Sequence, residues 1–401
     1  MINLSNSSTI AALVALGIAS VTWKLISVRR FYKDLPKPPH SFLWGHLNLW
    51  GEIMALFPPQ THYQNYFTEI AKRYDLPDVW YLDLWPLGPS FMVLATPELA
   101  MQVSVVKVYH IHRWVEYFLD VLFGPKVIAG VNGATWKHLH HMLAPSFSPT
   151  AVKGQVDCIV EHVAVYHNKL RALADTGEQF SMQELTSKVI FDIVSSVVYG
   201  FSLLAQQRGS QFLEDFKTIF NLGPAYVETK NPFKKLLLWW KMRASRERSE
   251  KLIHQKIKER HAALFGEDKY LQEEKRAKLC VMDRMIVQQI EELGPKARDG
   301  LDPQFVKLIV PNLKGLLAGG QGTTSDTLCF IFLLLSLHPE VMSRLRQEHD
   351  SFFHSDFDET VRMLKEKPTK TNELEYTTAV IKETLRLFPI GFATREAPPG
   401  V

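Results

Sequence analysis

The chain has 401 residues, 46% hydrophobic and 22% charged, which is ample apolar mass for a large buried core and excludes a disordered or fibrous protein. Its 46 basic and 42 acidic residues leave a net charge of +4 with no concentrated basic stripe, so nucleic acid is not an expected partner. Cys158, Cys280 and Cys329 stand far apart, with no C-x-x-C pair and no zinc-ligand spacing, and read as buried thiols in a reducing compartment.

From Thr9 to Val28 the only charged residue is Lys24. As a helix this run reaches roughly 30 Å, about one bilayer core. Arg29, Arg30 and Lys33 follow it, whereas residues 1–8 carry no charged side chain, so the positive-inside rule puts the main body in the cytosol. The expected organisation is a lumenal tail over 1–8, a single-pass transmembrane anchor over 9–28, a basic, proline-rich hinge over 29–45 and one domain over 46–401. A cleaved signal peptide is the competing reading, but the basic residues follow the apolar run instead of preceding it. Asn3 and Asn6 head glycosylation sequons that face the lumen in this topology.

Asp34-Leu35-Pro36-Lys37-Pro38-Pro39 cannot continue a helix or a sheet, because proline fixes φ and removes a donor, and it reads as a stiff spacer. The aromatic and β-branched residues around Pro86 and Gly88 predict a hairpin of Tyr81 to Leu84 and Phe91 to Leu94. Thereafter apolar residues recur at three and four. That period predicts helices over Thr96 to Val106, Gln155 to Ala174, Glu184 to Val198, Ser245 to Phe265, Pro303 to Leu337, Pro339 to Phe353 and Thr371 to Arg386. The fold class is mainly α with a small β-sheet element, behind one N-terminal transmembrane helix.

Three stretches could carry chemistry. Ala318-Gly319-Gly320-Gln321-Gly322-Thr323-Thr324-Ser325 interrupts a very apolar helix, and each glycine costs roughly 1 kcal/mol relative to alanine there. Either a ligand approaches the opened groove, with the hydroxyls of Thr323 and Thr324 beside it, or a core helix kinks over back-bonded threonines. Glu383 and Arg386 share a helix face before Pro389, and their apolar neighbours Val380, Ile381, Leu385, Leu387 and Phe388 favour a partly buried ion pair. Trp136-Lys137-His138-Leu139-His140-His141 offers an indole and three imidazoles, but these histidines lack the i, i+4 spacing of a metal site.

In this order the segments resemble the cytochrome P450 superfamily across nearly the whole chain, and most resemble membrane-anchored filamentous-fungal members of the sterigmatocystin type. The carriers are the anchor and proline hinge, the glycine-threonine helix, and Glu383-Thr384-Leu385-Arg386 before Leu387-Phe388-Pro389. His338-Pro339-Glu340 with Arg344, Glu348, His349 and Asp350, the run Ile190-Phe191-Asp192-Ile193-Val194, and Asn231-Pro232 before a charged helix also fit. The resemblance implies the cytochrome P450 fold, haem b, and electrons from NADPH through a cytochrome P450 reductase at the endoplasmic reticulum. The implied reaction hydroxylates or epoxidises an apolar secondary metabolite such as a polyketide with O2.

By resemblance Thr323 and Thr324 lie on the oxygen-binding side, Gly319 and Gly320 border the haem, and Trp136, His140 and Arg395 reach its propionates. The family's thiolate, which drives O–O cleavage, stands in an F-x-x-G-x-x-x-C-x-G loop beyond the E-x-x-R motif. None of the three cysteines stands in such a loop, and the chain ends fifteen residues after Arg386, so a C-terminally truncated, inactive member is expected. Gly322 replaces the family's acid, which puts proton relay in doubt, and His140 replaces an arginine, so a permanent cation becomes a titratable one. The family's Glu-Arg pair also has a third charged partner in the segment after this chain's end. Losing a partner from a buried network costs ~3–5 kcal/mol of the ~5–15 kcal/mol that holds a domain, so poor stability is expected. A non-catalytic relic or membrane scaffold is the alternative.

Overall fold

The computed structural model describes residues 7–58, 61–265, 276–391 and 394–397; Asn3 and Asn6 lie outside them. The chain is mostly helical with two small antiparallel sheets, and it divides into two compact units, Met1–Tyr109 with Ala397–Val401 and His110–Glu396.

In the first unit the apolar run forms one helix, Ser7–Phe31, of which Ile10–Phe31 is long and apolar enough to cross a membrane. Arg29 and Arg30 therefore belong to its last turn. The helices Leu47–Met54 and Tyr63–Arg73 pack with a hairpin around Leu49, Ile53, Tyr66, Ile70, Trp80 and Leu82. The hairpin pairs Val79–Leu82 with Phe91–Leu94, placing Trp80 opposite Val93. Its first strand begins and ends two residues before the predicted one. Asp83 is withdrawn from the ladder because its amide donates to His46 Nδ1 at 2.8 Å and its carbonyl accepts from His46 N at 2.8 Å.

The second unit is built on two helices, Met182–Tyr199 and Pro303–Leu337, whose facing residues supply Phe191, Val198, Tyr199, Ile309, Leu313 and Leu317 to the core. Burying an aromatic or aliphatic side chain of this kind stabilises the fold by roughly 1.5–3 kcal/mol. The chain turns by 111° at His338 into Pro339–Phe352, and Glu375–Leu387 returns against Pro303–Leu337. A stack of Phe330 on Phe388, with centroids 4.3 Å apart, ties its end down. A minimal sheet pairs His110–Ile111 with Arg395–Glu396.

Several predicted helices recur with small end shifts, among them Val156–Thr176 for Gln155 to Ala174. Thr96 to Val106 is an α-turn, Pro97–Met101, running into a π-helical turn, Gln102–Val106. Thr371 to Arg386 starts as a 3₁₀ segment, Pro368–Glu373. The helix expected from Ser245 starts at Pro232, where Asn231 Oδ1 accepts from Phe233 N at 2.9 Å and Lys234 N at 3.2 Å and proline occupies the first turn. Only Cys280 is fully buried, correcting the expectation for three thiols, since Cys158 and Cys329 sit at half-covered helix edges.

Candidate functional site

The glycine-threonine stretch does not break its helix, which is continuous from Pro303 to Leu337. Its glycines divide by face. A Cβ on Gly320 would stand 3.0 Å from Val194 Cγ1, so that glycine serves contact with Met182–Tyr199, whereas Cβ atoms on Gly319 and Gly322 would meet nothing within 4 Å. The same neighbouring helix is held through Gln321 Nε2 donating to Ser187 Oγ at 2.9 Å, Ser325 Oγ at 3.3 Å from Thr186 Oγ1, and Cys329 Sγ at 3.1 Å from that hydroxyl. Helical geometry then leaves Gly319, Gly322, Thr323 and Asp326 together on the opposite, open face.

Thr323 Oγ1 donates to Gly319 O at 2.6 Å and Thr327 Oγ1 to Thr323 O at 2.8 Å, so Thr323 is back-bonded and faces outward with acceptor capacity only. Thr324 is exposed. Of the two threonines in the stretch Thr323 back-bonds, and the helix keeps open space beside Gly319 and Gly322. Asp326 is a residue that motif reading missed. Partial desolvation pushes its carboxyl above the usual range. The signal was present, because Asp326 is the only charged residue between Lys314 and Glu340.

Two of the segments expected at a ring edge, the start of the helix bearing Trp136 and His140 and the strand bearing Arg395, both engage Ile111. Asn132 precedes the helix Gly133–Leu143, and its side chain clamps Ile111, accepting from Ile111 N at 2.8 Å and donating to Ile111 O at 3.1 Å. Ile111 pairs directly with Arg395. On that helix Trp136 and His140, one turn apart, are exposed and stacked with centroids 4.7 Å apart. Arg395 Nε is buried with no hydrogen-bond partner among the described residues, a donor without its acceptor.

The E-x-x-R pair forms, with Arg386 Nε 2.7 Å from Glu383 Oε2 and Nη2 2.6 Å from Oε1, but it is exposed, correcting the expected partial burial. The apolar residues invoked to cover it, Ile381, Leu385 and Leu387, are themselves exposed, and it is Thr384 between them that is buried. The helix start is fixed instead by Glu348, whose carboxylate accepts from Tyr376 N at 2.6 Å, Thr377 N at 2.9 Å and Thr377 Oγ1 at 2.6 Å. His349 adds a bond to Thr377 Oγ1 at 2.9 Å, and Arg344 lies 4.6 Å over the Tyr376 ring.

Haem, which the resemblance implies, fits part of this arrangement. The open glycine face and the unpaired Arg395 donor suit a flat ring with acidic edges. The iron finds no matching ligand: Cys280 Sγ accepts from Asp283 N in the core, Cys158 lies beside Ser196 with its thiol pushed up by burial, and Cys329 is turned to Thr186. No group of three or more His, Cys, Asp or Glu among the described residues could hold a metal ion. These residues therefore fit the ring's periphery and not its metal, and no chemistry at the iron follows from them.

The family described as Cytochrome P450 matches residues 36–398. The chain is 29% identical over 406 residues to the cytochrome P450 monooxygenase polC of Polytolypa hystricis, covering 98% of this chain and 70% of that protein. It is 31% identical over 348 residues to acrF of Aspergillus aculeatus, covering 86% and 67%, and 24% identical over 372 residues to ptmJ of Penicillium ochrochloron, covering 92% and 68%. Both of these are also cytochrome P450 monooxygenases by name.

Proposed function

The chain belongs to the cytochrome P450 family, and from that premise we propose that it supplies the oxygen-side helix and the propionate-side contacts of a haem monooxygenase acting on an apolar secondary metabolite. Electrons would come from NADPH through a membrane-bound reductase, with the helix Ser7–Phe31 as a single-pass anchor in the endoplasmic reticulum, the short segment before it lumenal and the residues after it cytosolic. The observation that carries this reading is the open face of Gly319, Gly322 and Thr323 on a helix whose preceding turns, Ile309 to Leu317, are packed into the core. Beside that face Thr323 would accept a hydrogen bond and Asp326 would hold a proton, while Trp136, His140 and Arg395 would orient the acidic ring edge. Haem, when thiolate-bound, supplies the oxygen activation.

Residues 1–401 hold no cysteine placed to ligate the iron, so we propose that this polypeptide alone is catalytically silent. Its reduced carbon monoxide difference spectrum is expected to lack the thiolate-type Soret band, and that band's appearance would overturn the proposal. Gly322 and His140, which depart from the family's acid and arginine, favour a second reading, a non-catalytic relic or membrane scaffold. Coding sequence downstream of Val401 separates the two: an in-frame F-x-x-G-x-x-x-C favours the enzyme, and its absence favours the relic.

A further inference from the structure

A cleft of about 570 Å3 opens in the unit His110–Glu396 where four segments meet: the first turns of Val156–Thr176, the end of Met182–Tyr199, the last turns of Pro232–Leu264 and the start of Val281–Leu293. That is the size of a small-molecule site. Its walls are tied to one another, with Gln155 Nε2 donating to Leu279 O at 3.1 Å and Arg260 Nε to Asp283 Oδ1 at 2.8 Å. Gly200, at φ +78°, ends Met182–Tyr199 against Cys280, whose Sγ a Cβ there would meet at 3.0 Å. One wall carries a thiol, a hydroxyl and an imidazole in series. Cys158 and His162 are half-buried, one turn apart on Val156–Thr176, and Ser196 is buried across from them. Ser196 Oγ lies 2.9 Å from His162 Nε2 and also hydrogen-bonds the Cys158 thiol. The turn bearing His162 is held by Gln206 Nε2, which donates to His162 O at 3.3 Å.

We propose that Cys158 is a site of reversible modification by a zwitterionic low-molecular-weight disulfide, with Ser196 and His162 relaying its proton away as the sulfur attacks. Burial pushes the Cys158 thiol up and the His162 imidazole down, the latter against the opposing pull of Asp192 and Glu161, so at neutral pH the thiol keeps its proton and the ring is an uncharged base. Attack therefore needs the relay: the thiol proton passes to Ser196 Oγ, the hydroxyl proton to His162 Nε2, and the Cys158 sulfur bonds to one sulfur of the ligand. The ligand's S–S bond breaks, and its other half takes the proton from His162 and leaves as a thiol. Cys158 is oxidised to a mixed disulfide, half of the ligand is reduced, and no other oxidant enters. The charge of the ligand follows from the exposed ends of the cleft, which carry both signs, Glu161 and Lys278. The other thiols have no such access: Cys280 is buried with its Sγ accepting from Asp283 N, and Cys329 is turned to Thr186.

The test incubates the full chain in detergent at pH 7 with oxidised glutathione or with the uncharged 2-hydroxyethyl disulfide and follows each cysteine by peptide mass mapping. A mixed disulfide is expected at Cys158 ahead of Cys280 and Cys329, forming faster with oxidised glutathione than with the uncharged reagent and reversed by excess thiol. His162→Gln and Ser196→Ala should each slow that step by roughly 100-fold. Unfolding would expose all three thiols and speed their modification, so slowing at Cys158 cannot come from a variant that fails to fold. No adduct at Cys158, or equal reaction at the three cysteines, would overturn the site. An undiminished rate in both variants would overturn the relay, and equal rates with the two reagents would overturn the zwitterionic ligand.

Discussion

Arg29–Asp83 and Glu383–Arg386 join the same two chemical groups and share almost nothing else. The first pair has side chains 4% and 0% exposed and engages three further carbonyls, His40 at 3.0 Å and the Trp85 amide at 3.1 Å. The second, three residues apart on one helix, stands in solvent. Contact geometry is set by spacing along the chain, but energetic weight is set by what surrounds the contact. A buried pair broken on one side leaves an uncompensated charge, whereas an exposed pair exchanges its partner for water. The largest expected effect therefore lies at Arg29. Arg29→Met should destabilise the hairpin unit by ~3–5 kcal/mol, read as faster amide exchange at Trp80 and Leu82, and Arg29→Met/Asp83→Asn should recover much of the loss. A single variant as mild as the double would collapse the contrast.

His46 extends the buried side of the comparison into pH. Desolvation, with the neighbouring His40 next in effect, brings its imidazole down from 6.5 to about 4, and its two nitrogens are committed, one accepting from Asp83 N and the other 3.1 Å from Pro38 O. A depressed folded-state pKa means that protonation favours unfolding, so the stabilisation is complete above 6.5 and is lost as pH falls from 6.5 towards 4. Full protonation should cost roughly 3 kcal/mol, and His46→Gln should flatten that limb of the urea midpoint against pH. A wild-type midpoint that does not move over this window would contradict the burial of His46.

Between the two extremes stands Glu348. Desolvation raises its carboxyl, but the bonds from Thr377 Oγ1 and the Tyr376 and Thr377 amides outweigh it and hold the pKa below the usual range. That contribution is present above the ordinary carboxylate pKa and is lost as pH falls through the depressed one. Glu348→Gln should speed exchange of the Tyr376 and Thr377 amides while leaving residues near Phe388 protected by the Phe330 stack; unchanged exchange would show that the helix start is held by something else.

How much of this was legible follows the same division. Local periodicity gave the helix Pro303–Leu337 residue for residue and the second hairpin strand, because apolar spacing is written directly in the chain. The helices Tyr63–Arg73, Arg113–Phe123 and Val281–Leu293 were not legible. Their caps are His62, His112 and Cys280, with amides donating to imidazole or thiol, and these are not the residues by which helix starts are recognised. In the candidate site the motif residues were visible, but which glycine faces a helix and which faces open space was not. That distinction depends on Val194, 126 positions earlier in the chain than Gly320. The burial of Glu383 and Arg386 was misjudged for the same reason: apolar neighbours in sequence say nothing about what lies across from them.

The smallest effect is expected at Arg386, and it is the one that most sharpens the comparison. Each member of the pair favours the charged form of the other: the hydrogen bond to Arg386 lowers the Glu383 carboxyl, and Glu383 raises the Arg386 guanidinium. Both are so open to water that this mutual preference is screened, so Arg386→Ala should leave the urea midpoint of the 401-residue polypeptide indistinguishable from the parent at low and high salt. The wild-type midpoint should likewise ignore titration of Glu383. If Arg386→Ala instead lowers the midpoint as clearly as Arg29→Met, the face bearing Ile381, Leu385 and Leu387 is covered in solution. The pair would then be a buried one by the same criterion that sets Arg29 and Asp83 apart.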